Sequence, residues 1–285
     1  MSNTSAVSGI LTLTLILILA CFVAQAFYYG INRPGCGRSQ ALGRVVNGSI
    51  ASKLQVPWVV NVIGAKPHAS RVTCGGSIIT RDAILTAAHC VRSRKVTVYY
   101  NTTVVQKGPR IKAKAVVIHR KFIKVFLGYD IALVRLAKPI PRFDSFVRPV
   151  CLPKQGEKTR RGPMVLAGYG RPGRKKPGRR LLYYIPTASS DATCDVDLEV
   201  EWWMHPMKRN LLICTKHPRA MMYHGDSGSP LTAYSRYGRS TQYGIASFIR
   251  SSNAGYAPTV STRVSMFIDW IKWALRVTGR RKNRC

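Results

Sequence analysis

From Val45 onward, short apolar or alternating runs recur, among them Trp58 to Ile63, Lys95 to Tyr100, Ala115 to Ile118 and Ile131 to Leu136, separated by Gly-, Pro- and Asn-containing breaks. Runs of roughly four to eight residues bounded by turn formers have the length of strands, and a long series of them predicts an all-β barrel or sandwich. One stretch differs: Met266 to Leu275 sets large apolar residues at helical spacing and predicts a helix near the end. The start of the chain has another pattern. Its first 26 residues hold no Asp, Glu, Lys or Arg, contain the apolar run Leu11 to Ala20, and end in Ala24-Gln25-Ala26. An apolar run followed by a small-x-small site predicts a secretory signal peptide over residues 1–26. An uncleaved anchor fits less well, because Arg33, Arg38 and Arg44 follow the run and would hold the cysteine-rich body in the cytosol. No internal repeat is visible.

Composition narrows the class. The 285 residues are 46% hydrophobic and 20% charged, which suits a globular chain with a substantial core and not a disordered basic tail. Charge is the outlier, with 45 Lys and Arg against 11 Asp and Glu, a net of +34. Self-repulsion of that size costs stability, and it predicts a polyanionic partner such as a sulfated glycan. No base-reading motif is present, so specific nucleic-acid recognition is not expected. Ten Lys or Arg fall between Arg92 and Lys124, a further basic block spans Arg171 to Arg180, and the C-terminus carries Lys272, Arg276, Arg280, Arg281, Lys282 and Arg284. Five of the eleven acids cluster in Asp191 to Glu201. Once Cys21 leaves with the signal, seven cysteines remain, without the CxxC pairs of a zinc site. In a secreted chain they predict disulfides with one cysteine left over. Asn47 and Asn101 head glycosylation sequons.

Three segments carry the chemistry, in the order His, Asp, Ser: Leu85-Thr86-Ala87-Ala88-His89-Cys90, Tyr129-Asp130-Ile131-Ala132-Leu133 and Gly225-Asp226-Ser227-Gly228-Ser229-Pro230. A serine hydroxyl attacks an amide only when an imidazole takes its proton and a carboxylate fixes the imidazole tautomer. Glycines around the serine permit a tight turn whose N–H groups can face a developing oxyanion. Singly, each segment has a structural explanation, as a core histidine, a turn aspartate or a glycine loop.

Together, with these neighbours and in this order, they resemble the chymotrypsin-like, trypsin-fold secreted serine proteases, over Val45 to about Arg276. The resemblance implies two six-stranded antiparallel β-barrels with the active site between them and a C-terminal helix. It implies His89 as general base, Asp130 as its orienting partner, Ser227 as nucleophile, and the N–H groups of Gly225 and Ser227 as oxyanion hole. Gly43-Arg44-Val45-Val46-Asn47-Gly48 looks like the family's activation junction, cut after Arg44 by a trypsin-like protease so that the Val45 ammonium pairs with Asp226. The family's bridges would be Cys74–Cys90, Cys194–Cys214 and Cys36–Cys151, the last tethering the cut propeptide. Pairing of Cys36 with Cys285 stays open as an alternative; otherwise Cys285 is free or joins two copies.

Departures concern the pocket for the side chain preceding the scissile bond. Met221 stands where the pocket base lies, so selection of Arg or Lys is not expected. Ser247-Phe248-Ile249 replaces the usual Ser-Trp-Gly wall, and Thr259 replaces a second wall glycine, predicting a shallow or plugged pocket open to small aliphatic side chains at most. Tyr223 stands where a bridging cysteine is usual, Met164 and Ala233 replace a second bridge, and Ser229 replaces a glycine. With no acid between Ala83 and Tyr129, no calcium site and no other metal or cofactor is expected. The organisation read from the chain is signal peptide 1–26, activation propeptide 27–44, protease domain 45–276 and basic tail 277–285. Two functions fit: a zymogen-type endopeptidase of restricted specificity, or an inactive homologue acting as a binding or regulatory protein.

Overall fold

The computed structural model describes residues 15–16, 30–40, 49–65, 71–171, 180–189, 210–218, 220, 222–234, 238–249 and 258–279. Six strands close into an antiparallel barrel in the order β2-β3-β4-β7-β6-β5. They are β2 (Val59–Ala65), β3 (Arg71–Thr80), β4 (Ala83–Thr86), β5 (Val96–Tyr99), β6 (Arg110–Ile118) and β7 (Ala132–Leu136). β4 and β7 are buried along their whole length, as their largely apolar runs lead one to expect, with Thr86 and Arg135 buried among them. β6 alternates instead, with Arg110, Lys112 and Lys114 exposed between Ile111 and Ala113, which pack against the core. Such alternation marks a strand with one wet face. Buried Arg135 is held by Asp82 at 2.8 Å, so the charge on β7 does not go uncompensated.

The second half is a nine-stranded antiparallel sheet. It runs from β1 (Ser49–Ile50) through β10 (Leu182–Tyr184), β9 (Val165–Gly168), β13 (Pro230–Tyr234), β14 (Ser240–Ile249), β15 (Thr259–Arg263), β12 (Leu212–Lys216) and β11 (Thr187–Ala188) to β8 (Gly162–Pro163). Where the resemblance implied a second closed barrel, the described hydrogen bonding is an open sheet ending in two-residue strands. The predicted helix is α1 (Ile268–Gly279), preceded by a 3-10 turn at Val264–Phe267. Ile268, Ile271, Ala274 and Leu275 form its buried stripe.

Two disulfides join described cysteines, Cys36–Cys151 and Cys74–Cys90. The first removes the alternative of Cys36 with Cys285. Cys214 is also disulfide-bonded; Cys194 and Cys285 lie outside the described residues. Around Cys36 the N-terminal segment is docked by more than the bridge. The Asn32 side-chain amide donates to the Leu152 carbonyl at 2.8 Å and its carbonyl accepts the Leu152 N–H at 2.6 Å. Gly37 donates to Pro149 O and accepts from Ser240 N, both at 2.8 Å. At Gly37 φ is +67° and a Cβ would strike the Ser240 backbone, so only glycine fits.

Candidate active site

β4 delivers its chain end to the sheet junction, and a 3-10 turn at Ala88–Cys90 follows. Cys90 is bonded to Cys74 of β3, which staples this turn to the barrel. On the turn, His89 meets Asp130 twice: its backbone N–H donates to Oδ1 at 3.0 Å, and its Nδ1 lies 2.7 Å from Oδ2. Asp130 is fully buried just before β7 and accepts a third bond, from the Ser247 hydroxyl at 2.5 Å. The Thr262 hydroxyl donates to the Asp130 carbonyl at 3.0 Å. A buried carboxylate needs such donors to offset desolvation. Since a carboxylate only accepts, the hydrogen belongs on Nδ1 and the lone pair on Nε2, the form of imidazole able to take a proton. Behind the site, His119 stacks on Tyr129 with ring centroids 5.0 Å apart and meets Phe267 edge-on. Burial, with Lys121 and Arg120 adding to it, lowers the His119 pKa to about 4.

Ser227 sits in the turn before β13. Gly225 and Gly228 flank its neighbourhood at φ +105° and +81°, in the region that favours glycine. A Cβ on Gly228 would strike Thr86 Oγ1 and the Gly75 carbonyl. Gly75 N–H donates to Ser227 O at 2.8 Å, Gly228 N–H to Ala246 O at 2.7 Å, and Thr86 Oγ1 to Gly75 O at 2.8 Å. The serine turn is therefore clamped to β3 beside Cys74 and to β14 at Ala246, with Gly228 packed against Thr86 at the end of β4, close in the sequence to the His89 turn. Among the described residues the Ser227 hydroxyl makes no hydrogen bond, and the N–H groups of Gly225 and Ser227 donate none.

Between those two donors lies Asp226. Its Oδ1 accepts the Gly170 N–H at 2.7 Å and its Oδ2 the Tyr223 N–H at 3.0 Å. Burial raises its pKa to about 6 against these two bonds, and among the described residues no cation pairs with it. Arg44, Val45 and Asn47 lie outside the described residues, as does Met221.

Other expected pocket positions are described. β14 bulges between Ala246 and Phe248. Beyond the bulge Phe248 packs partly buried against Leu212, Cys214 and Val260, while Ile249 is 36% exposed. The Thr259 hydroxyl is buried, 3.1 Å from the Tyr184 hydroxyl, and accepts the Met222 N–H at 3.4 Å. Met164 and Ala233, in place of a bridge, are both buried in one apolar cluster with Leu166 and Leu231. Asn101 is half-buried at φ +52°, with its side-chain oxygen buried and unpartnered. Cys74, His89 and Cys90 bring ligand-type atoms together, but the two cysteines are bonded to each other and offer no thiolate for a metal.

Sequence reasoning expected Ser247 as a pocket wall and missed its bond to Asp130, as it missed Thr262. Ser247 carried only the signal of a hydroxyl between apolar neighbours, and Thr262, in the polar run of β15, carried none.

The family model described as Trypsin matches residues 45–271. Among curated proteins, chymotrypsin-C of Rattus norvegicus is 32% identical over 238 residues, 80% of this chain and 87% of that protein. Chymotrypsin-like elastase family member 3B of Homo sapiens is 30% identical over 272 residues, 90% and 96% of the two chains. Clotting factor G beta subunit of Tachypleus tridentatus is 27% identical over 261 residues, 85% and 83%. With a match of that extent laid over a paired His and Asp and a glycine-flanked serine, the chain belongs to the trypsin family of chymotrypsin-like proteins and is a serine endopeptidase.

Proposed function

We propose that this is a secreted zymogen whose peptide-bond hydrolysis is carried by His89, Asp130 and Ser227 after a cut following Arg44. The observation that carries the reading is the His89–Asp130 pair at 2.7 Å, which leaves Nε2 as the basic nitrogen. Ser227 Oγ attacks the substrate carbonyl carbon as its proton passes to His89 Nε2. The carbonyl oxygen, now negative, is received by the unoccupied N–H groups of Gly225 and Ser227. His89 then gives the proton to the departing amine, and water repeats the sequence to free Ser227. Asp130 stays ionised and holds the imidazolium.

Activation rests on Asp226. A buried carboxylate without a cation is poised to receive one, and the Val45 ammonium freed by the cut supplies it. Residues 1–26 act as the secretion signal and 27–44 as a propeptide that the Cys36–Cys151 bridge retains. Specificity is restricted: the side chains of Thr259 and Ile249 stand where wall glycines would leave space, and Met221 offers no charge to Arg or Lys. Small aliphatic side chains fit this pocket best.

The basic surface binds a polyanion, with a sulfated glycan as the class suited to a secreted protein. Arg110, Lys112 and Lys114 support this, standing exposed along one face of β6 without an ion pair among the described residues. Such binding weakens as salt rises.

The test is covalent labelling. Secreted protein carrying an engineered site after Arg44 is treated with a fluorophosphonate before and after cutting, with Ser227→Ala as control. Labelling confined to the cut wild type is expected. Absence of labelling in folded, cut protein would assign the chain to the inactive, binding class.

A further inference from the structure

Ser229, the residue that replaces a glycine two positions after Ser227, is fully buried and its hydroxyl has no hydrogen-bond partner among the described residues. Buried hydroxyls without partners are rare in native proteins and are costly where they occur. The backbone around it is fixed: Ser229 N–H donates to Asp226 O, and Ser229 O accepts the Ala246 N–H, both at 2.9 Å. The unpaired oxygen therefore cannot drift far.

Its surroundings say what it faces. A Cβ placed on Gly168 would strike both Asp226 Oδ1 and Ser229 Oγ, so the two oxygens lie against the same glycine, close enough together for one ammonium to reach both. A Cβ on Gly170 would strike the Asp226 carboxylate, and one on Gly75 would strike Ser229 Oγ. Three glycines thus keep side chains away from the carboxylate and the hydroxyl. Asp226 already accepts two backbone N–H groups, yet burial keeps its pKa raised, and among the described residues no cation pairs with it.

We infer that the Ser229 hydroxyl is a second ligand for the cationic N-terminus in the activation pocket, accepting one hydrogen of the Val45 ammonium while Asp226 takes the charge. This rests on the activation reading above. An ammonium has three hydrogens, and one carboxylate facing it from one side leaves donors unsatisfied in a dry site. Ser229 would be a positioning residue: it touches neither substrate nor the reacting atoms, and it acts by holding the charged partner of Asp226.

The assignment has a signature in pH. Activity requires the ammonium to stay protonated, so the alkaline limb of kcat/KM reports its pKa in the cut enzyme. Loss of a hydrogen bond to the charged form lowers that pKa. For cut Ser229→Ala and Ser229→Gly, the alkaline midpoint should fall by roughly one pH unit. Activity near pH 7 should stay within about twofold of wild type, since the ammonium remains protonated there. The two variants remove the hydroxyl with different volumes, so agreement between them separates a lost ligand from altered packing. Their unchanged labelling by a fluorophosphonate at pH 7 confirms folding. Equal alkaline midpoints in wild type and both variants would overturn the assignment of Ser229 while leaving activation intact. If cutting after Arg44 fails to activate the wild type at all, the activation reading itself falls, a distinct result.

Discussion

The two halves of the molecule treat polarity in opposite ways. The closed barrel of β2 to β7 hides mainly aliphatic side chains and wears cations outside, with no acid between Ala83 and Tyr129. The nine-stranded sheet buries polar residues in quantity, including Thr215, Thr232, Ser240, Gln242, Ser247, Thr259, Ser261, Thr262 and Arg263. The barrel supplies His89 and Asp130 already paired, while the sheet supplies Ser227 with its flanking N–H groups and the unneutralised Asp226. One half is complete as folded; in the other, the Asp226 carboxylate has no cation among the described residues. Apolar packing joins them, with Val165, Ala167 and Ile245 of the sheet in one cluster with the barrel core, and polar bonds cross the seam as well: Ser247 and Thr262 of the sheet hold Asp130 at the barrel, and Ser77 of β3 donates to Gln242 of β14 at 2.6 Å.

The hardest blow to the finished half is Asp130→Asn. An amide nitrogen facing Nδ1 favours the wrong imidazole tautomer, and kcat of the cut enzyme should fall by about 10³- to 10⁴-fold with little change in melting temperature. A loss under tenfold in steady-state hydrolysis would mean that His89 is not oriented through Asp130. Next comes the staple. Replacing Cys74 and Cys90 together by serine should cost about 3 kcal/mol in urea unfolding, because the bridge closes a loop of sequence separation 16 next to His89.

The waiting half is probed by pH. In the uncut chain burial raises the Asp226 pKa from its ordinary 3.8 to about 6. Folding then takes up a proton between those values. The stabilisation is complete below about pH 4 and lost as pH rises through about 6, on the order of 1–3 kcal/mol. Asp226→Asn should flatten that slope in uncut protein, as read by denaturant titrations at pH 5 and 7. Cutting should abolish the slope in wild type, since an ammonium favours the ionised carboxylate. A milder effect is expected from Thr259→Gly, which removes a buried side chain held by Tyr184. Hydrolysis after larger apolar residues should rise about tenfold in a peptide library relative to hydrolysis after Ala. Smallest is Lys112→Ala on the outer face of β6. It should lower the slope of log affinity for heparin against log salt by about one, with hydrolysis unaltered.

Legibility in the sequence followed the same division. Apolar runs in the barrel were long enough to read as strands, and β2, β5 and β7 lie where those runs stand. β6 extends back to Arg110 because alternation with Lys and Arg hid its first half. The helix lies two to four residues later than its apolar spacing suggested, because Val264–Phe267 winds as a 3-10 turn first. His89, Asp130 and Ser227 were legible because their motifs are local. Roles that depend on tertiary approach were not: nothing in Ser247-Phe248-Ile249 shows that its serine would bond a carboxylate 117 positions away. Gly170 and Tyr223 serve Asp226 through backbone N–H groups, which no side-chain pattern can announce.

The Cys36–Cys151 bridge has a topological consequence. Its 115-residue separation closes a covalent ring that encloses the whole barrel and also the Arg44–Val45 bond. Cleavage there detaches nothing; it turns a ring into a two-chain branch. Ring closure restricts the unfolded chain, and the restriction is worth ~4–5 kcal/mol for a loop of this size. A cut at Arg44–Val45 would open the ring and forfeit that restriction. The Asn32 and Gly37 contacts then act as an intramolecular dock, keeping the shorter chain seated at a high effective concentration.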